Sequence, residues 1–143
     1  MPKGRILALD LGERRIGLAV SDALGVTAQG LETMERTRSL RRDLDRLGEI
    51  ARSREVSLAL IGLPVQMSGE EGTQAARARE FGRKLHDRTG LAVEFWDERL
   101  TTREAGRILR AGGVSMGKRA RAVDRLAAVI ILESYLAWRA RAS

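Results

Sequence analysis

The chain has 143 residues, and its 26 Lys and Arg outnumber its 19 Asp and Glu, which gives a formal net charge of +7. This length suits one domain with a buried core, and we treat 1–143 as that single domain. Cysteine is absent and histidine occurs once, which excludes disulfides and argues against a zinc centre. No apolar run approaches the roughly 20 residues that span a bilayer, and no secretory signal is evident, so we expect a cytoplasmic protein without a membrane partner.

The positive charge favours a polyanionic partner, with nucleic acid first among the candidates. A general preference for arginine would produce the same excess, because the basic residues are spread along the whole chain. Charge therefore narrows the choice of partner without fixing it.

The N-terminal half is expected to begin with three strands. Continuous apolar runs predict strands over 5–10 and 15–21, joined by a short turn that contains Gly12. A third strand is expected within 26–34. Leucines at helical spacing among charged residues then predict an amphipathic helix over 39–53.

In the second half, strands and helices are expected to alternate. Apolar runs predict the strands, while Gly, Pro and capping residues mark the ends of the helices. The predicted elements are a strand over 57–64, a helix from its N-cap Thr73 to about Thr89 that ends at Gly90, a strand over 91–96, a helix that opens at a Thr-x-x-Glu capping box at Thr101, a flexible segment over 111–118, and a helix over about 120–140.

This order of elements predicts the fold class. Three consecutive strands followed by alternating helices and strands indicate an α/β domain with a five-stranded mixed sheet, in which an antiparallel hairpin comes first and parallel strands follow. Helices are expected on both faces, which gives three layers. Open α/β sheets bind ligands beyond the carboxyl ends of their strands, so acids at strand ends are the first candidates for a site.

Two strand ends carry such acids. Asp10 ends the first strand, and Gly12 and Gly17 near it leave room for a backbone or a phosphate to approach closely. Asp97 and Glu98 follow the fifth strand. The alternative for Asp10 is an aspartate that initiates a turn, and the alternative for the other two is a pair of acids at the start of a helix.

The third candidate position is Asp124, which heads an apolar stripe of the last predicted helix. A carboxylate in such a stripe is costly unless it is paired or bound to metal, although an acid in the first turn of a helix would favour the helix dipole. If Asp10, Glu98 and Asp124 converge, they provide the hard oxygen ligands that suit Mg²⁺ or Mn²⁺. Two such ions would clamp the attacking and leaving oxygens of a phosphodiester, which is nuclease chemistry.

Five segments resemble the YqgF family, also called RuvX-like, within the ribonuclease H-like superfamily of nucleases. They are ALDLGERRIGLAVSD, LIGLPVQMSGEEG, ARAREFGRKL, WDERLTTREA and AVDRLAAVIILESYL, and together they cover nearly the whole chain in order. The resemblance implies a ribonuclease H-like fold and a two-metal nuclease. It also implies one of two substrates, the 5′ end of pre-16S ribosomal RNA or a Holliday junction.

The family motifs also imply site residues. Asp10 matches the first-strand aspartate, Glu98 the acid of the DER motif and Asp124 the last-helix aspartate, so these three would be catalytic and would hold the metal. Asp97 would be a further, secondary catalytic residue.

The chain departs from related sequences at three places. Glu13 and Arg14 stand where many YqgF relatives have Thr-Lys. RuvC resolvases carry a second acid in the last helix where this chain has Ala127, and an acid near the fourth strand where this chain has only the apolar segment 61–64. The predicted cluster is therefore one carboxylate smaller, and Asp97 is the residue that would compensate.

Basic residues near the candidate acids are the expected contacts to nucleic acid. Lys118, Arg119 and Arg121 lie just before the acid of the last helix, and Arg99 and Arg14 adjoin the other strand ends. The alternative for Lys118, Arg119 and Arg121 is that they form a solvated helix end without a ligand. The alternative for Arg99 is that it is a structural partner of a neighbouring acid.

The length of the chain and the symmetry of the substrate bear on three other candidate functions. An actin-like or sugar-kinase ATPase shares the D-x-G turn but closes two lobes around its nucleotide, and this chain has room for one lobe. A non-catalytic RNA-binding assembly factor would need no acids. Resolution of a DNA junction needs two coordinated cuts by a two-fold dimer, but the sequence shows no spare apolar stripe for a dimer face. A monomer that processes RNA is therefore ranked above a junction resolvase.

Overall fold

The computed structural model describes residues 4–100 and 116–142, and the side chains of 4–99 and 124–142 within them. Six strands in the described part form one mixed sheet, in the order β3-β2-β1-β5-β6, with β4 also pairing with β2. The strands are β1 (Arg5–Leu11), β2 (Arg15–Ser21), β3 (Ala28–Gly30), β4 (Met34–Glu35), β5 (Val56–Leu63) and β6 (Ala92–Asp97). The pairs around β2 are antiparallel, whereas β1–β5 and β5–β6 are parallel, so the predicted mixed topology is confirmed.

The predicted third strand over 26–34 is instead two short strands, both paired with β2. Leu31 and Met34 are both buried in the same core cluster. A continuous strand would send these two side chains to opposite faces, because side chains alternate along a strand. The break between β3 and β4 therefore allows both residues to enter one core.

The first two helices begin and end close to the predicted positions. Helix α1 spans Leu40–Ser53, and Ser39 caps it by accepting a hydrogen bond from the backbone N–H of Arg42. Helix α2 spans Thr73–Thr89 and ends at Gly90, whose φ of 78° is the left-handed conformation that glycine adopts without strain. The prediction of Thr73 as N-cap was wrong: Gly72 occupies the cap position in an extended conformation, and no side chain caps this helix.

The last helix, α3, spans Met116–Ala142 and is longer than predicted at both ends. Residues 116–118 are therefore helical, and their prediction as part of a flexible segment was wrong. The rest of that segment and the helix predicted from Thr101 lie outside the described residues. Asp124 is the ninth residue of α3, beyond two full turns, so the helix dipole does not account for an acid here.

The helices form layers on the two faces of the sheet. Helices α1 and α2 pack on one face through a core that includes Leu7, Leu9 and Phe81. Helix α3 packs on the other face, where Ile131 and other apolar residues meet the side chains of β1 and β5. Among the described residues, no helix has the length and apolar character required to cross a membrane. The three-layer architecture brings the end of β1, the end of β6 and the early turns of α3 to one edge.

Candidate active site at the carboxyl ends of the strands

Asp10 lies near the end of β1 on the face that carries α3. Ile6 and Ala8, at the alternate positions before it, are buried against this helix. Asp10 pairs across the hairpin with Gly17, and a Cβ at Gly17 would overlap the backbone carbonyl oxygen of Asp124. Gly17 thus accommodates the helix backbone, one of the two roles expected from the sequence, and this close approach brings α3 to Asp10.

Glu98 follows β6 in a short 3-10 turn, Glu98–Leu100. Its carboxylate lies against Gly62 of β5, because a Cβ built there would come 2.5 Å from Glu98 Oε1 and 2.8 Å from Ile131 Cδ1. Burial, a hydrogen bond with Asp10 and the negative charge of Asp10 together raise the pKa of Glu98 to about 9. Glu98 therefore holds a proton at neutral pH.

The position of Glu98 also explains a departure noted in the sequence. The apolar segment 61–64 of β5 has no acid, but the space above Gly62 is filled by the Glu98 carboxylate from the neighbouring strand. An acidic side chain at position 62 would collide with Glu98. At this edge of the sheet, the carboxylate is therefore supplied by the residue that follows β6 and not by a residue of β5.

Asp124 lies beside the pair but has a different partner. The guanidinium of Arg15 donates from Nε to Asp124 Oδ2 at 3.3 Å. Burial and the charge of Asp10 raise the pKa of Asp124, while the bond from Arg15 acts in the opposite direction. Asp10 is therefore the central acid, in contact with Glu98 and electrostatically coupled to Asp124.

Asp97, the secondary candidate, is directed to Arg99. It accepts hydrogen bonds from the backbone N–H of Arg99 at 2.9 Å and from Arg99 Nε at 2.8 Å. These bonds lower the pKa of Asp97, whose side chain is 41% exposed. Arg99 is thus a structural partner of an acid, which was the alternative interpretation of this residue.

The carboxylates of Asp10, Glu98 and Asp124 are ligands that suit a hard divalent cation, although each of them interacts with another side chain of the protein. Among the described residues, no three Asp, Glu or His side chains are arranged to hold a metal ion as they stand. The reason is visible locally: Glu98 is bonded to Asp10, and Asp124 is bonded to Arg15. Two adjacent carboxyl groups are nevertheless oxygen ligands of the type that Mg²⁺ and Mn²⁺ prefer, so the residues fit such an ion.

The structure describes the side chains of only some of the basic residues that were predicted to contact nucleic acid. Arg14 is exposed in the turn between β1 and β2 and lines a groove that leads to Glu98. Lys118, Arg119 and Arg121 lie in the first turns of α3, but their side chains are outside the described part. Their contact with nucleic acid stays a prediction.

Sequence reasoning missed Arg15 as a member of the site. Arg15 begins β2 and shares a face with Gly17 and Ala19, because alternate residues of a strand lie on the same side. Ala19 is buried against α3, so the same alternation would have placed Arg15 toward the helix that carries Asp124. The alternation can be read from the sequence, but only the fold shows that this face of β2 meets α3.

Fold and site together define an α/β domain of the ribonuclease H-like class with a cluster of acids at one sheet edge. A family profile, RuvX, described as a Holliday junction resolvase, matches residues 4–138. The chain belongs to the RuvX family.

Relatives and solved structures agree with this assignment. Two relatives are named "Putative pre-16S rRNA nuclease". The protein of Koribacter versatilis is 50% identical over 133 residues, which cover 93% of this chain and 86% of that protein. The protein of Carboxydothermus hydrogenoformans is 42% identical over 137 residues, which cover 96% of this chain and 99% of that protein. The structure titled "T. thermophilus RuvC in complex with Holliday junction substrate" is similar with a TM-score of 0.61 at 16% identity, over 98% of both chains. This structural similarity shows the fold.

Proposed function

We propose that this protein is a metal-dependent nuclease that hydrolyses phosphodiester bonds in structured RNA and processes the 5′ end of pre-16S ribosomal RNA. The observation that carries the proposal is the half-buried, hydrogen-bonded Asp10–Glu98 pair beside Asp124, at the edge where open α/β sheets bind ligands. Contact between two partly desolvated acids is destabilising, and groups with perturbed pKa values cluster at functional sites. The names of the curated relatives favour the RNA substrate.

In this proposal Asp10, Glu98 and Asp124 would hold Mg²⁺ or Mn²⁺, with two ions expected. When bound, the ions supply an activated water and neutralise charge on the phosphodiester. Glu98 would release its proton when a cation binds, and the hydrogen bond from Arg15 to Asp124 would open or shift with it. The positive surface of the chain would attract the RNA.

The test is cleavage of an RNA that carries the 5′ end of pre-16S ribosomal RNA, in Mg²⁺, in Mn²⁺ and in EDTA. Asp10→Asn keeps the size of the side chain but removes the charge of the central acid, so we expect cleavage to fall at least about 100-fold. Folding, followed by circular dichroism, and RNA binding are expected to change little.

Asp87→Asn is the matched control, because Asp87 is an exposed residue of α2 whose side chain is 59% accessible and pairs only with Arg83 among the described residues. It should cleave like the unmodified protein. Full activity of Asp10→Asn in Mg²⁺ would contradict the proposal and would identify any observed cleavage as a contaminant.

Resolution of Holliday junctions is the second candidate function. It is favoured by the description of the matching family and by the RuvC fold. The acid cluster would serve either substrate, since both reactions hydrolyse a phosphodiester. Symmetry, considered in the Discussion, separates the two.

A further inference from the structure

A groove of about 1210 Å³ includes Glu98 in its lining. The turn after β1, the segment before α1 and one side of α2 form its walls, together with Pro64, which follows β5. Small-molecule pockets measure about 300–1,000 Å³, so this groove exceeds what a single small ligand would fill. Its size and its connection to the candidate active site suit a polymer.

The charged side chains of the groove favour an anionic polymer. Arg14, Arg38 and Arg77 are exposed lining residues, and none of them forms an ion pair with another residue in the described part of the chain. They come from three separate segments and surround the groove. Exposed, unpaired arginines on several walls are the arrangement expected for contacts to successive phosphates.

A fourth arginine joins the walls of the groove. Arg36 donates from a guanidinium nitrogen to the carbonyl oxygen of Gly12 at 2.9 Å, and its guanidinium lies 5.4 Å from the centre of the Phe81 ring. Both partners are uncharged, so Arg36 keeps its positive charge in the groove.

The acids of the groove only partly offset these charges. Four glutamates line it, and one of them, Glu80, is paired with Arg83 at 2.5 Å. Lys84 is a fifth basic residue of the lining, beside Arg14, Arg36, Arg38 and Arg77. Five basic side chains and four glutamates therefore line the groove, which leaves it with a net positive charge.

The contents of the groove also indicate how it would recognise its ligand. Phe81 is the one aromatic residue among the described lining residues, and it is only 5% exposed beneath Arg36. No aromatic face is therefore open for stacking with a base in this part of the chain, and recognition would fall on the backbone. A groove of about 1210 Å³ has room for a few nucleotides of one strand but not for the much bulkier double helix, so a single strand is the form that fits inside it.

We propose that this groove binds a single-stranded segment of the nucleic acid substrate next to the scissile bond, with Arg14, Arg38 and Arg77 on its phosphates and Glu98 in its wall. The inference rests on the proposed nuclease function and names the form of substrate that the site takes. It adds contacts that are distinct from the predicted cluster on α3.

The test compares two triple variants of equal charge. The groove variant carries Arg14→Ala, Arg38→Ala and Arg77→Ala. The control variant carries Arg46→Ala, Arg54→Ala and Arg141→Ala, which removes three exposed arginines outside the groove. Binding of a fluorescent 15-nucleotide single-stranded RNA of mixed sequence, and of a hairpin duplex of the same RNA, is measured by anisotropy in EDTA over a range of salt concentrations.

We expect the groove variant to bind the single strand roughly 100-fold more weakly at about 0.1 M salt, with a salt slope shallower by about 2, because each phosphate contact contributes about 0.7 to that slope. The control variant should lose less than about threefold, and binding of the duplex should change little in both. Equal losses in the two variants, or a larger loss for the duplex, would overturn the inference. If the triple variant unfolds, Arg77→Glu alone is expected to weaken single-strand binding, and its failure to do so would count as the same refutation.

Cleavage by the unmodified protein, assayed in parallel, separates this inference from the proposed function. Cleavage together with undiminished binding by the groove variant would refute the groove and leave the nuclease. Groove-dependent binding without any metal-dependent cleavage would support the groove and refute the nuclease.

Discussion

At Glu98, burial and the neighbouring Asp10 act in the same direction. Removing a carboxylate from water disfavours its ionised form, and a second carboxylate in contact disfavours it further. The raised pKa of Glu98 follows from these two effects, and burial is the larger. A pair of this kind is destabilised when both groups ionise, unless a cation takes the place of the proton.

The first prediction concerns the pH dependence of stability of the metal-free protein. The pKa of Glu98 is about 9 in the folded chain, whereas the ordinary value of 4.5 applies in the unfolded chain. The contribution of Glu98 to the free energy of unfolding is therefore complete below pH 4.5 and is lost as the pH rises toward 9. Glu98→Gln keeps a hydrogen-bonding side chain and has no such loss. Between about pH 6 and about pH 9 the variant should gain about 1–2 kcal/mol on the unmodified protein, after allowance for partial exposure.

Urea unfolding in EDTA at several pH values measures this difference. Glu94→Gln, on the strand that precedes Glu98, is a suitable control, because Glu94 is exposed and accepts a hydrogen bond from Tyr135. A stability difference between Glu98→Gln and the unmodified protein that stays constant with pH would show that Glu98 is ionised in the folded state.

The second prediction ranks the two adjacent acids. Asp97 is engaged by Arg99 and is 41% exposed on its side chain, whereas Glu98 contacts Asp10 directly. We therefore expect Glu98→Gln to reduce the cleavage rate by about 100-fold or more and Asp97→Asn to reduce it by less than about tenfold. The measurement is the single-turnover rate in Mg²⁺. The reverse ranking would assign the principal role to Asp97.

At the scale of elements, the site depends on how closely α3 approaches the hairpin of β1 and β2. The third prediction tests this approach with Gly17→Ala, whose Cβ would overlap the carbonyl oxygen of Asp124. Because this obstacle is backbone, the helix must shift, and we expect a loss of about 1–3 kcal/mol in the free energy of unfolding. Cleavage should also fall, since Asp124 moves with the helix.

Gly30→Ala is the matched control on β3. A Cβ at Gly30 would meet Arg125 Cγ at 2.8 Å, Arg125 Cδ at 3.0 Å and Val129 Cγ2 at 3.3 Å, all of them side-chain atoms. Its cost should stay below that of Gly17→Ala, because side chains can adjust where a backbone carbonyl cannot. Similar losses for the two substitutions would mean that α3 is free to adjust at Gly17.

The same elements show what the sequence could predict. Helix α1 and the C-terminal end of α2 were predicted closely, because apolar periodicity, Ser39 and Gly90 are strong local signals. The N-cap of α2 was wrong by one residue, since Thr73 has the preferred side chain but Gly72 has the required backbone conformation. The break in the segment 26–34 depends on which side chains share a core, and that is a property of the whole fold.

The candidate site was predictable to a similar extent. Strand ends identified Asp10 and Glu98, and the structure brings these two into contact. The partner of Asp124 was not identified, because an Arg15–Asp124 pair joins residues that are 109 positions apart. Local patterns indicate which residues lie on a face, but tertiary packing decides which of them meet.

At the scale of the whole molecule, the groove was invisible to sequence analysis for the same reason. Arg14, Arg38 and Arg77 come from three segments, and each is surrounded in sequence by other charged residues. The net charge of +7 indicated a polyanionic partner, but only the fold shows where unpaired arginines gather near the acids.

The last prediction uses symmetry to separate RNA processing from junction resolution. A Holliday junction requires two coordinated cuts, which a two-fold dimer supplies, whereas trimming one end of an RNA requires one active site. Four large apolar side chains in the described part are exposed, Leu24, Val26, Met67 and Trp138, and together they are few for a stable dimer interface. We therefore expect light scattering to give the mass of one chain, with or without RNA.

In the matching cleavage assay, the protein receives equal amounts of the pre-16S RNA 5′-end substrate and a mobile four-way DNA junction, in Mg²⁺ and in Mn²⁺. The RNA should be cut at one site by the monomer, and nicks in the junction should be slow and independent of each other. Asp10→Asn serves as the inactive control for both substrates, because the same acid would be required for either. A stable dimer that makes paired symmetric nicks in the junction and leaves the RNA intact would reverse the assignment, since only coordinated cuts at symmetric positions resolve a junction into two duplexes.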